Sequence, residues 1–584
     1  MPPLFRRYAP LAVVLAAQLV IILVAPSVVP GTSAVGAGGS QGGSTALTGP
    51  GATGPGATVP GAPGAAVPGA AGPGAAAGAA GSAGSAGAAA AALAGDTTHC
   101  VKGREFDPAF GYWAPPCVPG TPGAAFSNNG GAITSGVSGD TIELVDYVTN
   151  YGAEINAILQ AEGLLYTYDN AKTLDAAFQN FLNKHFVFYG RKVHIDAYAG
   201  QCNYRDDQCI LPELDRVVQT YHPYAVLWNT SVCTECFAEL ARNHVVAVGG
   251  IGFSDNFAKA NSPYFYTSSE SSTRIVEGFA QWWCNQMSSV NVPSRKVKYA
   301  GHQNPAQDFN GKPRVLGIIT PNPPDNRDVV NNVLVPELRR QCGENVTHFY
   351  FYDQNINTAA QQVAAGIAAM DTPNNPATDV LCICDVVAPA FLYEGEQDNN
   401  YYPENVLADV QGMGYDLDGQ SYGPSSQLAC PNPSKGCEFD NAFGLVDIGP
   451  QQPQNNNEGI RIYHDGGGQG NSPATAITTW IYAQLWTMLG ALLENAGPHL
   501  DAATMQAKAP GLGSVGGGSS GQPLLQFTAG DWSWRQDAAL VYWDNKRKSS
   551  YNGANGAYVY VGNRINLGQY PVMPGGPPIP TGRT

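Results

Sequence analysis

Three apolar runs decide the fold: Lys192-Val-His-Ile-Asp-Ala-Tyr198, Ala225-Val-Leu-Trp-Asn-Thr-Ser231 and Val245-Val-Ala-Val-Gly-Gly-Ile-Gly252. Between them stand helical spacings, Leu214, Val217 and Val218 first, then Ala238, Leu240 and Ala241. Strands alternating with helices of this length predict βαβ units and a parallel sheet. Upstream, Thr141–Val148 extends the series with a strand and Ile155 to about Leu165 with a helix. Downstream a second series begins. A helix over about Ser272–Met287 carries Ile275, Phe279, Trp282 and Trp283 on one face. Strands follow at Arg314–Ile319, His348–Phe351 and Asp379–Ile383, separated by helices at Val329–Cys342 and Thr358–Met370. The chain is therefore expected to be α/β, with two Rossmann-like doubly wound lobes in tandem. Phe443–Ile448, Ala474–Asn495 and Ala538–Trp543 complete one lobe or the other.

Only 13% of residues are charged, and Lys+Arg 30 against Asp+Glu 46 gives a net charge of −16. Nucleic acid, which demands a basic face, is excluded as a partner. Arg6 and Arg7 precede an apolar run from Ala9 to about Val29. A basic start before such a run reads as an export signal, and the run is just long enough to span a bilayer. An uncleaved membrane anchor is the preferred reading, with a cleaved signal as the alternative; positive charge keeps the short end in the cytoplasm. From Gly31 to Gly95 there is no Asp, Glu, Lys or Arg, and Gly, Ala, Pro and Ser dominate. That segment is expected to be a disordered linker with a reach of about 40–50 Å.

All twelve cysteines follow the linker. After an export signal they read as disulfides, with Cys100–Cys117, Cys202–Cys209 and Cys430–Cys437 as local bridges and Cys284–Cys342 joining two helices. Cys233-Thr-Glu-Cys236 and Cys382-Ile-Cys384 leave two options open, further disulfides or a four-thiolate zinc site.

In open parallel sheets ligands sit beyond the carboxyl ends of the strands. The residues there are Thr149-Asn150-Tyr151, Asn229-Thr230-Ser231, Gly249-Gly250-Ile251-Gly252, Thr320-Pro321-Asn322 and Asp385. Thr230 and Ser231 stand before a helix, where hydroxyls, free amides and the helix dipole suit an anion; either could equally be the helix N-cap. Asp385 follows a buried strand and calls for a ligand cation, several N–H groups, or a capping role toward the next helix. No GxGxxG opens a helix, and there is no GxxxxGK[ST], GxSxG or HExxH. No cofactor is expected. His464-Asp465 offers a base with an orienting acid, which keeps an extracellular hydrolase as a rival reading.

The ordered series over Val193–Gly252, with Pro263-Tyr-Phe-Tyr-Thr-Ser268 and the late helix Trp480–Gly497, resembles the type-I periplasmic binding proteins, in the branch that binds leucine, isoleucine and valine. The resemblance implies an extracytoplasmic solute-binding protein, not an enzyme, that closes two lobes on a small polar ligand and delivers it to the permease of an ABC transporter. Its ligand loops fall on Tyr151, Thr230, Ser231, Gly252, Asn322 and Asp385, and Tyr266 is expected at a cleft wall. Asn322-Pro-Pro, the extra cysteine pairs and the inserts around Asp398–Cys437 depart from the family pattern and put an ordinary aliphatic amino acid in doubt. The implied organisation is an anchor or signal over 1–30, linker 31–97, lead-in 98–138, first lobe 139–265, second lobe 266–449, returns at 450–525 and 526–570, and a tail from 571 to 584. An extracellular sensing or adhesion domain is the remaining alternative.

Overall fold

Short runs of valine, isoleucine and leucine bury both faces of their strands, and two parallel sheets result. The computed structural model describes residues 96–567 apart from 232, 301–308, 410, 411 and 427. The expected anchor, the linker up to residue 95 and the tail lie outside the described residues. The described residues fall in one compact unit, Ser82–Thr584.

The first sheet contains β1 (Thr141–Asn150), β2 (Lys192–Asn203), β3 (Ala225–Trp228), β4 (Val246–Gly249) and β5 (Phe265–Tyr266), in the order β2-β1-β3-β4-β5. Its four pairings are all parallel. The second contains β6 (Leu316–Pro321), β7 (His348–Tyr352), β8 (Asp379–Cys382), β9 (Glu404–Asp409), β10 (Phe443–Val446), β11 (Asp537–Lys548) and β12 (Asn555–Asn566). Its parallel part, β7-β6-β8-β9-β10, repeats the order of the first sheet, and β11 and β12 add an antiparallel hairpin at the edge. The doubly wound α/β pair expected from the sequence is thus what the chain forms. In each sheet the order reverses beside the first strand, so the loops after β1 and β3, and after β6 and β8, open at a switch point where ligands bind.

Among the elements absent from the sequence reading, two bear on the core. The helix Tyr168–His185 starts at Thr167, whose hydroxyl accepts from the Asn170 N–H in a capping box, and buries Leu174, Phe178, Phe181 and Leu182. β9 lies within what reads as an insert after Asp398. It is wholly buried between β8 and β10 despite Glu404, Asn405 and Asp409. Its acidic start is tolerated because Glu404 pairs with the buried Arg314 and accepts from the amides of Lys298 and Tyr299. Polar residues in a central strand conceal it from a reading based on apolar runs.

Two single helices expected from the spacing are each interrupted. Ser272–Trp282 passes into a π-helical turn at Trp283–Met287, and a π-helical turn at Val329–Leu334 precedes Val335–Cys342. The helix Ala476–Ala496 is apolar enough to cross a membrane by length and composition, yet it is mostly buried and packs against the first sheet's core.

The four expected disulfides form, with Cα–Cα distances of 5.8 Å for Cys100–Cys117, 5.6 Å for Cys202–Cys209, 5.4 Å for Cys284–Cys342 and 5.2 Å for Cys430–Cys437. Cys233–Cys236 and Cys382–Cys384 close within their own loops, which leaves their thiolates committed and corrects the zinc option. Cys284–Cys342 closes the longest loop, a separation of 58 residues. Replacing both cysteines by alanine is expected to lower unfolding free energy by about 2–4 kcal/mol. Denaturant titration measures this, and an unchanged midpoint would mean that the bridge constrains little.

Candidate functional site

Tyr151 follows β1 and begins the helix Gly152–Ala161. Thr230 and Ser231 follow β3. The helix after them, Thr234–Arg242, starts at Cys233, which adopts a left-handed φ of 59° and gives no side-chain cap. The capping alternative for Thr230 and Ser231 is therefore not what the chain uses. Instead the Thr230 hydroxyl lies 3.0 Å from the Tyr151 hydroxyl, and the Thr230 carbonyl accepts from the Ile251 N–H at 2.8 Å. Ser231 is half-buried and faces two cavities.

These cavities adjoin, sharing Tyr151, Leu159, Ser231 and Val386. One, of about 120 Å³, is the more polar of the two: Thr149, Asn229, Thr230, Ser268, Ser269, Asp447 and Arg535 reach it beside Leu164, Ile251, Ile448 and Ile481. The other, of about 140 Å³, is apolar and runs between Ile155 and Leu159 of the first lobe and Ile356, Val363, Phe391 and Leu392 of the second. Together they form a cleft at the carboxyl ends of both sheets.

Asp385 stands at the apolar cavity, but its carboxylate is satisfied by its own lobe. One oxygen accepts from the Tyr352 hydroxyl at 2.8 Å and the Gln354 amide at 3.1 Å; the other accepts from the N–H groups of Val387 and Ala388, both at 3.0 Å. It tethers the start of the helix Ala388–Asp398. The expectation of a ligand cation at Asp385 is corrected by these four donors.

Three further residues lie elsewhere. Tyr266 is fully buried among the first lobe's core residues, since both faces of β5 are covered. Asn322 lines neither cavity; its amide donates at 3.0 Å to Asp353, which lines the apolar one, and its oxygen accepts from Arg327 at 2.7 Å. Gly252, with φ +73°, shapes the turn into Ser254. The Ser254 N–H donates to Asp325 of the second lobe at 2.9 Å, so this turn serves contact between lobes. The structure brings together Tyr151, Thr230, Ser231 and Asp385.

The sequence reading passed over a polar layer beneath the cleft. Arg535 donates to Asp447 and to Gln484, each at 2.9 Å, and Asp447 also accepts from the Glu270 N–H at 3.1 Å. Asp447 follows β10 as Asp385 follows β8, so the strand-end rule, applied at β10, finds it. A second layer is carboxylic. Tyr166 stacks on Tyr482 at 3.7 Å, and both reach the polar cavity. The Tyr166 hydroxyl donates to Asp146 at 2.7 Å, and the Trp486 indole donates to Asp175 at 3.1 Å. Burial pushes the Asp146 carboxyl up to about 7. Burial, and then the charge of Asp146, holds Asp175 well above the carboxylate range. Burial thus disfavours charge on both carboxyls, and at Asp175 the neighbouring Asp146 adds to it.

No family profile matches the sequence and no curated protein matches it. Among solved structures the chain is similar to a possible leucine/isoleucine/valine-binding protein from Rhodopirellula baltica, at 13% identity and a TM-score of 0.47, covering 72% of this chain and 96% of that one. A fatty acid ABC transporter substrate-binding protein from Thermomonospora curvata matches at 13% identity and a TM-score of 0.48, covering 76% and 96%. A branched chain amino acid ABC transporter from Thermus thermophilus with bound valine matches at 11% and 0.46, covering 74% and 97%. Likenesses at this level are of outline, and they assign no ligand and no residue.

Two expectations follow from the geometry. Asp385→Ala strands two amides and a tyrosine hydroxyl, and is expected to lower stability by about 1–3 kcal/mol, read by denaturant titration. An unaltered midpoint would return Asp385 to a ligand role. For Asp146 the folded-state pKa is raised above the ordinary aspartate value. Its stabilising contribution is full below about pH 4 and is lost as pH rises through about 7. Asp146→Asn is therefore expected to flatten the stability–pH profile, gaining on the wild type by up to about 4 kcal/mol between pH 5 and pH 8. Parallel profiles for the two proteins would exclude a raised Asp146 carboxyl.

Proposed function

We propose that this chain is an extracytoplasmic solute-binding protein that closes its two lobes on one small molecule and presents the closed form to a membrane permease of an ABC transporter. The observation that carries the reading is the paired cavity at the carboxyl ends of both sheets, placed at both switch points. Tyr151, Thr230 and Ser231 supply hydroxyls from the first lobe, and Val386 and its neighbours close the second side. Chain segments that cross between the lobes run together beneath the cleft: Thr267 donates to Trp532 and accepts from Trp534, both at 2.9 Å. Such a joint permits rocking of one lobe against the other. A ligand shifts that equilibrium only by binding the closed form more tightly.

Six disulfides support an oxidising compartment. Attachment through the N-terminal apolar run belongs to the same proposal and rests on the sequence. The hydrolase reading loses its base: His464 is engaged with the Gly468 carbonyl at 2.9 Å, Asp465 with Lys184 at 2.7 Å and with His185, and neither lines the cleft.

The test is calorimetric titration of the full chain against small carboxylates, amides, sugars and amino acids, with product analysis alongside. One molecule bound per chain, released unchanged, is the expected result. Ser231→Ala is expected to weaken that binding by about 0.5–1.5 kcal/mol if its hydrogen bond is to a neutral group, and by about 1.5–3 kcal/mol if to a charged one. The fold should persist, because Ser231 is not the helix cap. Turnover of the molecule, or unaltered affinity in the variant, would contradict the proposal.

A further inference from the structure

We infer that Cys233–Cys236 is an exchangeable disulfide that oxidises an external dithiol, while the other five bridges are structural. This activity stands apart from solute binding and does not depend on which molecule the cleft holds.

The pair reads Cys-Thr-Glu-Cys between β3 and the helix Thr234–Arg242, a CxxC at a helix N-terminus. Its two sulfurs are unequally placed. Cys236 is fully buried in one cluster with Trp228, Phe237 and Leu240, whereas Cys233 is half-buried at its edge. An incoming thiolate therefore meets Cys233. That residue occupies the N-cap position, and in the bridged form it gives the helix no side-chain cap. Once reduced, the same sulfur is an anion at the head of a helix, where the first-turn amides and the dipole favour it against the opposing charge of Glu235. A disulfide whose reduced form is stabilised in this way is the better oxidant. Cys233 also holds a left-handed φ of 59°, and backbone of this kind gathers at reactive sites.

The exchange balances as follows. The first thiolate of the dithiol bonds to the Cys233 sulfur, and the Cys233–Cys236 bond breaks with its electron pair on Cys236. Asp207 stands where it can hand that sulfur a proton, since its carboxylate and both sulfurs lie within 4.8 Å of one another. Burial, and then the charge of Glu235, raises the Asp207 carboxyl above its ordinary value, which suits it to carry a proton. The second thiolate then attacks its own chain's sulfur in the mixed disulfide and releases Cys233 as a thiolate. The dithiol leaves as a disulfide, two electrons remain on the cysteine pair, and an external disulfide such as oxidised glutathione restores the bridge.

The other bridges lack this combination. Cys284–Cys342, Cys382–Cys384 and Cys430–Cys437 are buried at both ends. Cys209 of Cys202–Cys209 is exposed, but its N–H already donates to Asp206, so a thiolate there would meet a carboxylate. Cys100–Cys117 stands on no helix.

The full chain, equilibrated in buffers of graded reduced-to-oxidised glutathione ratio, then alkylated and mapped by mass spectrometry, tests this. Cys233–Cys236 is expected to be half-open at a ratio at least about tenfold less reducing than Cys202–Cys209 or any other bridge. Single variants supply the second arm. With oxidised glutathione, Cys236→Ser is expected to hold glutathione on Cys233, and Cys233→Ser to leave Cys236 unmodified. The wild-type titration needs neither variant to fold. Six bridges opening together, Cys233–Cys236 opening no earlier than Cys202–Cys209, or glutathione held equally by both variants would overturn the inference and leave solute binding untouched.

Discussion

The buried pair between Asp447 and Arg535 holds together the place on which everything else turns. Asp447 ends the parallel part of the second sheet, and Arg535 arrives on the last return of the chain, just before β11. Their 2.9 Å contact is almost wholly removed from water. The Glu270 amide, on the first passage from β5 into the second lobe, donates to the same carboxylate, and Gln484 on the long buried helix accepts from the guanidinium. A buried ion pair is not itself a large source of stability, but removing one member leaves a charge without compensation, at about 3–5 kcal/mol. The pair therefore fixes where the crossing segments meet, and with that the floor of the polar cavity.

From that floor the geometry of the cleft follows. Both sheets use the same strand order, and residues after the switch-point strands of both line the cleft. What differs is the chemistry each contributes. The first lobe brings hydroxyls at Tyr151, Thr230 and Ser231; the second brings apolar helix ends, with Asp385 turned inward to hold the start of one of them. A ligand that bridges the lobes must match both, which is why its polar and apolar ends are expected at different places in one molecule.

The sequence made the parallel sheets legible, because runs such as Ala225–Trp228 and Val246–Gly249 are apolar on both faces and end at glycine, asparagine or threonine. It also made the longest disulfide legible, since Cys284 and Cys342 stand on apolar helical faces. What stayed hidden has physical reasons. β9 carries Glu404, Asn405 and Asp409 into the interior, where Arg314 and backbone amides compensate them. Asp385 reads as a ligand residue for the same reason that it reads as a tether: a buried carboxylate needs donors, and sequence alone does not tell whose donors they are. Tyr266 was expected at a wall because Pro263–Ser268 resembles a crossover between lobes, yet β5 is covered on both sides. The Asp146–Asp175 pair left no trace, because two acids 29 positions apart meet only once the helix Tyr168–His185 packs on β1 and β2.

The central claim is that one small molecule is held by both lobes at once. Hydrogen exchange of the full chain, with and without a saturating amount of whichever panel compound binds in the calorimetric titration, tests it most directly, because the two walls of the cleft are distant in sequence. Simultaneous protection of residues 229–233 and 353–358, saturating together at one ligand per chain, is the result the account predicts. Protection confined to one lobe, with the other exchanging as before, would contradict closure on a shared ligand.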